Sequence, residues 1–144
     1  MGNLPRQVSQ SSWFSSVRWD CVHYFDSFDQ AHTRIPGAFV ASIEGEKIGS
    51  KLDMLDALAM TFQFAGYFGR NLDALDECLR DLNWLPADRY GCVIWNSNIL
   101  LSQAPKVALQ LINQWLACAQ VWAERGVPFH LAFAFNCPDS DQSS

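Results

Sequence analysis

The chain has 144 residues, the size of one ordinary domain with a short appendage, and 49% of them are hydrophobic. Its formal net charge of −5 argues against direct nucleic-acid binding, which requires a basic patch, and favours a basic protein partner. No uninterrupted apolar run reaches the length of about 18 residues that a transmembrane helix needs, so we expect no membrane association.

The N-terminal segment lacks the apolar core of a secretory signal, and Arg6 breaks the myristoylation pattern that an initial Met-Gly would begin. Five cysteines are scattered along the chain without a CxxC pair, which is typical of reduced thiols in a cytoplasmic protein. The three histidines lack the spacing of metal ligands as well. We therefore expect a cytoplasmic protein without a metal site or a cofactor.

Residues 1–37 are predicted to be an N-terminal extension, partly flexible, because the first 12 residues are polar and rich in Ser and Gln. The aromatic and β-branched segment "SVRWDCVHYFDSF" indicates an extra strand near Val17–Phe25. "DSFDQAH" follows as a candidate short helix, and Pro36-Gly37 interrupts the chain. The polar segment "CPDSDQSS" predicts a loose tail over residues 137–144, which leaves residues 38–136 as the domain.

Strand and helix patterns alternate within residues 38–136. The apolar run Ala38–Ile43 predicts a strand, and "SKLDMLDALAMTFQF" has the helical period with Ser50 as a cap. Gly91–Trp95 and Pro128–Phe135 are almost wholly apolar, as strands covered on both faces are. The long helix "PKVALQLINQWLACAQVWAERG" lies between them. This alternation predicts an α/β domain with a mostly parallel sheet.

Two features of the later segments are predicted to belong to the interior. Trp115 and Trp122 are seven residues apart on the long helix, the spacing of a core-facing stripe. His130 lies within an apolar strand, so we expect a hydrogen-bonded core or edge residue and no role in proton transfer. For Trp84, an interior position and a position at the rim of an interface are equally compatible with the sequence.

The segment "GYFGRNLDALDECLRDL" predicts an acidic amphipathic helix that begins after the N-cap Asn71 and ends near Leu82. Its buried stripe is predicted to comprise Leu72, Leu75, Leu79 and Leu82, with Cys78 beside them. Its opposite surface is predicted to carry Asp73, Asp76, Glu77, Arg80 and Asp81. Gly69, before the cap, permits a positive φ and the close approach of another backbone.

Three interpretations of the acidic surface are open. The simplest from this helix alone is a solvated face, because Asp in a first turn offsets the helix dipole. A pair of catalytic carboxylates is disfavoured, because Asp73 and Glu77 on one exposed face would both ionise, and catalytic pairs lie in unlike environments. The third is a docking surface for a basic partner.

The segment "GYFGRNLDALDECL" resembles the signature of the barstar family of intracellular ribonuclease inhibitors. That signature is an aromatic pair, Gly, any residue, Asn-Leu-Asp-Ala-Leu, and an acidic residue before Cys-Leu. "IEGEKIGSKLDMLDAL" resembles the family's first strand, turn and first helix, and "LNWLPADRYGCVIW" resembles a segment of larger bacterial relatives. The resemblance covers about Ala38 to Phe135. It implies an α/β domain with a small, mostly parallel sheet of three core strands and about four helices.

The resemblance also implies a function without catalysis. It implies an inhibitor or immunity protein, monomeric when free, whose acidic helix blocks the basic active site of a cognate toxin, most simply a ribonuclease. Asp73 matches the first critical carboxylate of the family, and Glu77 matches the one that occupies the substrate phosphate position. The implied partner-binding residues are Tyr67, Phe68, Gly69, Asn71, Leu72, Asp73, Asp76, Glu77, Arg80 and Trp84.

Several positions depart from the family pattern. Glu77 is one methylene longer than the usual aspartate, Asp76 replaces a tryptophan, and Arg70 replaces an acid. A further acidic contact of the family falls near Val121, where Glu124 is the closest carboxylate. These departures leave an alternative open, namely a protein of the same fold that binds a toxin other than a ribonuclease, or a regulatory partner.

Overall fold

A computed structural model of the chain describes residues 21–29, 33–66 and 68–136. This part of the chain forms a parallel sheet of four strands and four α-helices. In chain order the strands are β1 (Val22–Phe25), β2 (Ala38–Glu44), β3 (Arg89–Trp95) and β4 (Phe129–Ala134). The helices are α1 (Lys51–Thr61), α2 (Leu72–Asp81), α3 (Ser97–Gln103) and α4 (Pro105–Glu124). The predicted α/β fold with a parallel sheet is confirmed.

The strands lie in the order β1-β4-β3-β2, and every neighbouring pair is parallel. Every residue of β4 is buried, and in β3 only Arg89 is partly exposed, because helices and loops cover these strands on both sides. β3 and β4 are neighbours in the sheet. The predicted extra strand is confirmed as β1, which pairs with β4 at one end of the order of described strands, whereas residues 17–20 lie outside the described chain.

Two local expectations differ from the structure. The described part of the candidate helix "DSFDQAH", Asp26–Asp29, is bent and irregular, and residues 30–32 lie outside the described chain. The helix α3 was not predicted, because its seven residues are too few to show a helical period, although Asn96 and Ser97 are residue types that favour a helix start. Its N-cap residue Asn96 has a left-handed conformation with φ of 52° and makes no side-chain capping bond.

The pleat of β3 and β4 sends alternate side chains into two separate cores. The larger core faces the helices and contains Cys92, Ile94, Leu131 and Phe133 of these strands. Trp115 and Trp122 of α4 are buried in it, as predicted. The smaller core lies on the other face and comprises Phe28, Val93, Trp95, Ala132 and Ala134. The segment between β1 and β2 therefore supplies the cover for the second face of the sheet.

The predicted interior position of His130 is also confirmed. The residue is 1% exposed, and its Nδ1 atom lies 2.9 Å from Nε2 of His23 on the neighbouring strand β1. The two imidazole rings are 5.0 Å apart between centroids. One ring nitrogen donates and the other accepts, so the pair satisfies polar atoms between the two strands.

The backbone of Phe28 is held by the side chain of Asn136, just after β4. Phe28 N donates to Asn136 Oδ1 at 3.0 Å, and Asn136 Nδ2 donates to Phe28 O at 3.0 Å. Asn96 N donates to Asn136 O at 3.2 Å, which ties the same residue to the end of β3. The amide of Asn136 thus pairs with a backbone as a neighbouring strand would.

Within the described ranges, no helix is long and apolar enough to cross a membrane.

Replacing Leu75 by alanine is expected to lower the free energy of unfolding by about 2–5 kcal/mol, because its fully buried side chain would leave a cavity. Leu109→Ala is the matched control, since the same side chain on α4 is 57% exposed, and its effect should stay within about 0.5 kcal/mol. Urea denaturation of both variants measures the difference. Equal losses in the two variants would contradict the assignment of the core.

Replacing Asn136 by alanine is expected to cost about 1–3 kcal/mol, because it leaves both backbone groups of Phe28 without these partners. Hydrogen exchange gives a local readout, in which the amide of Phe28 should lose protection before those of β3. Asn98→Ala, an exposed amide on α3, is the control. Unchanged protection of Phe28 in the Asn136 variant would show that these two hydrogen bonds do not hold the backbone of Phe28 in place.

Candidate functional site

An aromatic cluster shapes the loop that leads from α1 to α2. The ring of Phe64 lies 5.0 Å from that of Phe68 and 6.1 Å from that of Trp84, measured between centroids. The indole of Trp84 donates from Nε1 to Phe62 O at 2.9 Å. Trp84 follows α2, so these contacts join the loop before the helix to the chain after it.

Among the described residues of this loop, Gln63 and Arg70 have positive φ, at 59° and 54°, whereas Gly69, whose sequence position permits a positive φ, does not. The guanidinium of Arg70 makes two hydrogen bonds of 2.9 Å to the carboxylate of Asp56 on α1. This two-bond pair joins the loop to α1, and both side chains are about half exposed. At Gly69 a Cβ atom would lie 3.2 Å from Asn71 Nδ2, so a larger residue would press on the side chain of the N-cap residue.

The start of α2 agrees with the sequence prediction. Asn71 has an extended backbone, and its Oδ1 atom accepts from Ala74 N at 2.8 Å, so it is the N-cap. Leu75 and Leu79 are fully buried, whereas Leu72 is only partly buried against the core. Leu82, which was expected to extend the stripe within the helix, is a buried C-cap residue with φ of 50°.

Asp76 is the clearest departure from the predicted acidic surface. Its side chain faces α4, where Oδ1 accepts from Gln114 Nε2 at 2.9 Å and from Cys118 Sγ at 3.6 Å. The other oxygen pairs with Arg80 one turn further along α2. Burial, together with the negative charge of Asp76, raises the pKa of the Cys118 thiol to about 12, so the thiol remains a donor. Asp76 therefore joins α2 to α4, and Arg80 pairs with it within α2.

Two side chains hold the end of α2, one from α4 and one from the residue that follows α4. Trp122 Nε1 donates to Leu79 O at 2.8 Å, and Arg125 donates to Arg80 O at 2.6 Å. The Arg125 guanidinium lies 4.5 Å from the ring centroid of Trp122, a cation–π distance. The last carbonyl groups of a helix lack partners within it, and α4 supplies them here.

Three carboxylates point away from these contacts, and we call Asp73, Glu77 and Asp81 the acidic row. They are one helical turn apart and all exposed. In the described chain none of the three forms an ion pair or a side-chain hydrogen bond. No group of three or more His, Cys, Asp or Glu side chains in these ranges is placed to hold a metal ion.

A cleft of about 600 Å³, which we call the α2 cleft, lies between the aromatic loop and the C-terminal half of α2. Its loop side is lined by Gln63, Ala65 and Phe68. Its helix side is lined by Glu77, Cys78 and Asp81, with Asn83 and Trp84 beyond them. Burial raises the pKa of the Cys78 thiol, and the charges of Glu77 and Asp81 raise it further, so this thiol is neutral.

The structure thus divides the predicted site residues. Phe68, Glu77 and Trp84 meet in the α2 cleft, and Gly69, Asn71 and Asp73 lie at the other end of the helix. Leu72 packs on the core, and Tyr67 lies outside the described residues. Asp81 also lines the α2 cleft, although the sequence analysis did not include it among the partner-binding residues. Its spacing of four residues from Glu77 indicated that both lie on one face of the helix.

The depression on the other side of α2 is mixed in charge. It has a volume of about 470 Å³ and is lined by Glu77, Arg80, Asp81, Val121 and Arg125. The family resemblance points to Glu124 as the carboxylate nearest to Val121. The structure instead places Arg125, the next residue, in the lining of the depression. The negative surface is therefore bounded by cations on the side of α4.

The two ends of α2 allow a matched test of the helix dipole. We expect Asp73→Asn, in the first turn, to destabilise the fold by about 0.3–1 kcal/mol, and Asp81→Asn, in the last turn, to stabilise it by a similar amount. Both shifts should shrink when salt is added, because it screens exposed charges. Urea denaturation at low and high ionic strength measures them, and shifts of the same sign would refute the dipole argument.

Comparison with known proteins now adds to this geometry. The sequence model of a family described as "Barstar (barnase inhibitor)" matches residues 38–134, which hold β2, β3, β4 and all four helices. No curated protein sequence matches the chain.

Among solved structures, a chain from "Structure of Drosophila ORC bound to AT-rich DNA and Cdc6" aligns with 98% of this chain, at a TM-score of 0.53 and 12% identity. The alignment covers 47% of that chain, so this chain spans about half its length. A likeness at this identity shows the fold alone.

Proposed function

The chain belongs to the barstar family, and on this premise we propose that it inhibits a cognate toxin, a basic ribonuclease, by placing the acidic row in the toxin's active site. We propose further that it is a bacterial, cytoplasmic immunity protein that is monomeric when free and has no catalytic activity of its own. The observation that carries the proposal is the acidic row itself: three exposed carboxylates that have no ion-pair partner among the described residues, on a helix fixed at both ends.

Charge complementarity explains why such a surface suits a ribonuclease. An enzyme that cleaves RNA holds phosphate with cationic side chains, and a carboxylate is an anion of similar hydrogen-bonding capacity. Asp73 and Glu77 lie one turn apart on one face of α2, so both are presented in the same direction. Their negative potential also speeds the encounter with a basic protein.

Rigidity of the helix supports the same function. The N-cap bond of Asn71 fixes the start of α2, and the bonds from Trp122 and Arg125 fix its end. A binding surface that is ordered before the partner arrives loses less conformational entropy when it binds. The polar contacts of Asp76 serve this purpose, and we assign Asp76 to positioning rather than to direct contact with the toxin.

A second candidate function has one observation in its favour. Arg80 and Arg125 border the acidic row, so the surface around it is mixed in charge. A partner with acidic side chains around a basic centre would match this pattern, and such a partner need not cleave RNA. The alternative is therefore an immunity protein of the same fold that blocks a toxin of another class, or a module that binds a regulatory protein.

We expect Asp73→Ala and Glu77→Ala each to weaken inhibition by about 3 kcal/mol, or roughly 100-fold, because each leaves cationic groups of the toxin buried without a partner. The measurement is the inhibition constant against barnase, and against the toxin encoded beside the gene of this chain. Added salt should slow association with the native chain. In the control without toxin, RNA incubated with this protein should remain intact.

Glu46→Ala is the matched control for these variants. Glu46 is exposed in the 3-10 turn Gly45–Lys47 after β2, outside α2 and its preceding loop, so the net charge changes equally while the acidic row is kept. Its inhibition constant should equal that of the native chain. Native-like inhibition by the double variant Asp73→Ala, Glu77→Ala would place the interface elsewhere, with residues 1–37 the next to test.

A further inference from the structure

The outer edge of β2 has no neighbouring strand in the described part of the chain. β2 (Ala38–Glu44) lies at one end of the strand order, and its seven residues pair with β3 on one side. Apart from that ladder, the backbone hydrogen bond that joins β2 to other described residues is the one from Ala38 N to Ile35 O. The N–H and C=O groups of β2 that face away from β3 therefore form a row without backbone partners in these ranges.

This edge also lacks the features that usually protect an edge strand. Natural edge strands are very short, carry Lys or Pro, or contain a bulge. The segment "AFVASIE" has neither Lys nor Pro, and its charged residue is Glu44 at the last position. Its register with β3 runs over all seven positions without a bulge, and Ser42 is exposed. An edge of this kind is a template for an added strand.

A groove of about 290 Å³, which we call the β2 groove, lies beside this edge, between β2 and α1. Its apolar lining comprises Ile43, Ile48, Ala57 and Met60. Met60 is 79% exposed, the largest fraction among the exposed large hydrophobic residues of the described chain. Paired residues of adjacent strands point to the same face of a sheet, so a residue placed beside Ile43 in an added strand would enter the groove. The volume suits one side chain better than a whole small ligand.

The charged lining of the β2 groove is mainly acidic. Glu44, Asp53 and Asp56 supply three carboxylates, and Lys47 supplies one ammonium group. Asp56 is already paired with Arg70. Glu44 accepts hydrogen bonds through Oε2 and Asp53 through Oδ2, whereas the second oxygen of each forms none with any described residue. A cation on a long aliphatic side chain would match both the apolar lining and these oxygens.

We propose that the edge of β2 binds an extended segment of a partner protein, which adds a strand to the sheet and places a basic side chain, lysine or arginine, in the β2 groove. The open edge requires the segment to be extended, and the acidic lining selects the basic residue. A second copy of this chain fits less well, because β2 itself carries no basic residue for the groove. Asp73, Glu77 and Asp81 do not line the groove, so this inference goes beyond the proposed function.

A titration with short peptides tests the proposal on the full chain. The acetylated and amidated peptide Thr-Val-Lys-Val-Thr should shift the amide resonances of β2 and leave those of α2 in place, with a dissociation constant on the order of millimolar. The same peptide with norleucine in place of lysine should bind at least about fivefold more weakly, because it lacks the charge. Absent shifts in β2, or equal binding of the two peptides, would overturn the proposal.

Two N-methylated analogues show whether the backbone of the peptide pairs with β2. One is methylated at both valines, and the other at the lysine and the last threonine. Alternate residues of a strand direct their N–H groups to opposite sides, so one analogue should lose binding and the other should keep it. Equal behaviour of the two analogues would rule out strand addition.

Variants of the protein locate the peptide in the β2 groove. Met60→Lys should weaken binding of the lysine peptide about tenfold, because it places a like charge at the groove. Leu109→Lys is the matched control, since Leu109 is exposed on α4 and does not line the groove. Glu44→Gln should weaken binding about fivefold, and Glu46→Gln, outside the lining, should leave it unchanged. Native-like binding by both groove variants would overturn the assignment.

Inhibition of the ribonuclease separates this surface from the acidic row. Met60→Lys should inhibit as the native chain does, and a loss of inhibition would make the groove part of the toxin contact and refute a separate surface. If the native chain inhibits no ribonuclease, the proposed function fails, and the peptide titration still decides the role of the β2 edge.

Hydrogen exchange of the full chain without peptide tests the two other occupants. Alternate amides of β2 should exchange fast at every protein concentration and slow down when the lysine peptide is added. Protection of these amides already present in dilute solution would show that another segment of the same chain covers the edge. Protection that grows with protein concentration would show that a second copy does. Either result would overturn the proposal.

Discussion

The junction between α4 and α2 sets the position of everything that the acidic helix presents. α4 packs against β4 and gives hydrogen bonds to two of the last carbonyl groups of α2 through Trp122 and the adjacent Arg125. Gln114 and Cys118 hold the side chain of Asp76 from the same helix. Since one face of α2 is occupied in this way and its leucines are buried, only one side remains for the acidic row. The exposed carboxylates thus owe their common direction to a neighbouring helix.

A second constraint is that a parallel sheet needs cover on both faces. The helices cover one face, and the smaller core around Trp95 is completed by Phe28, which precedes the residues that match the family. β1 likewise precedes that match, yet it pairs with β4 along its full length. The unit that packs as one body is therefore larger than the range that the family match defines.

The sequence predicted those parts of the fold that depend on local periodicity. β3 and β4 were predictable from their apolar runs, and the start of α2 from Asn71, because capping and burial leave a pattern within a few residues. The inward role of Asp76 was not predictable, since it depends on two α4 residues about 40 positions away in the chain. The positive φ of Arg70 beside Gly69 was not predictable either, and its side chain pairs with Asp56, 14 positions away. The α2 cleft forms only when the loop before α2 and the chain after α2 come together, and no short segment encodes that contact.

The strand order has a consequence for the order in which the protein is built. β4 is the last of the described strands in the sequence, yet it lies between β1 and β3 in the sheet. During synthesis β1 leaves the ribosome before β4, and these two strands can pair only after more than a hundred further residues have followed. The bonds between Phe28 and Asn136, 108 positions apart, close only then. A nascent chain that stops short of β4 therefore leaves the β4-facing edges of β1 and β3 unpaired. Chaperones and proteases recognise such edges, so quality control of this protein depends on β4.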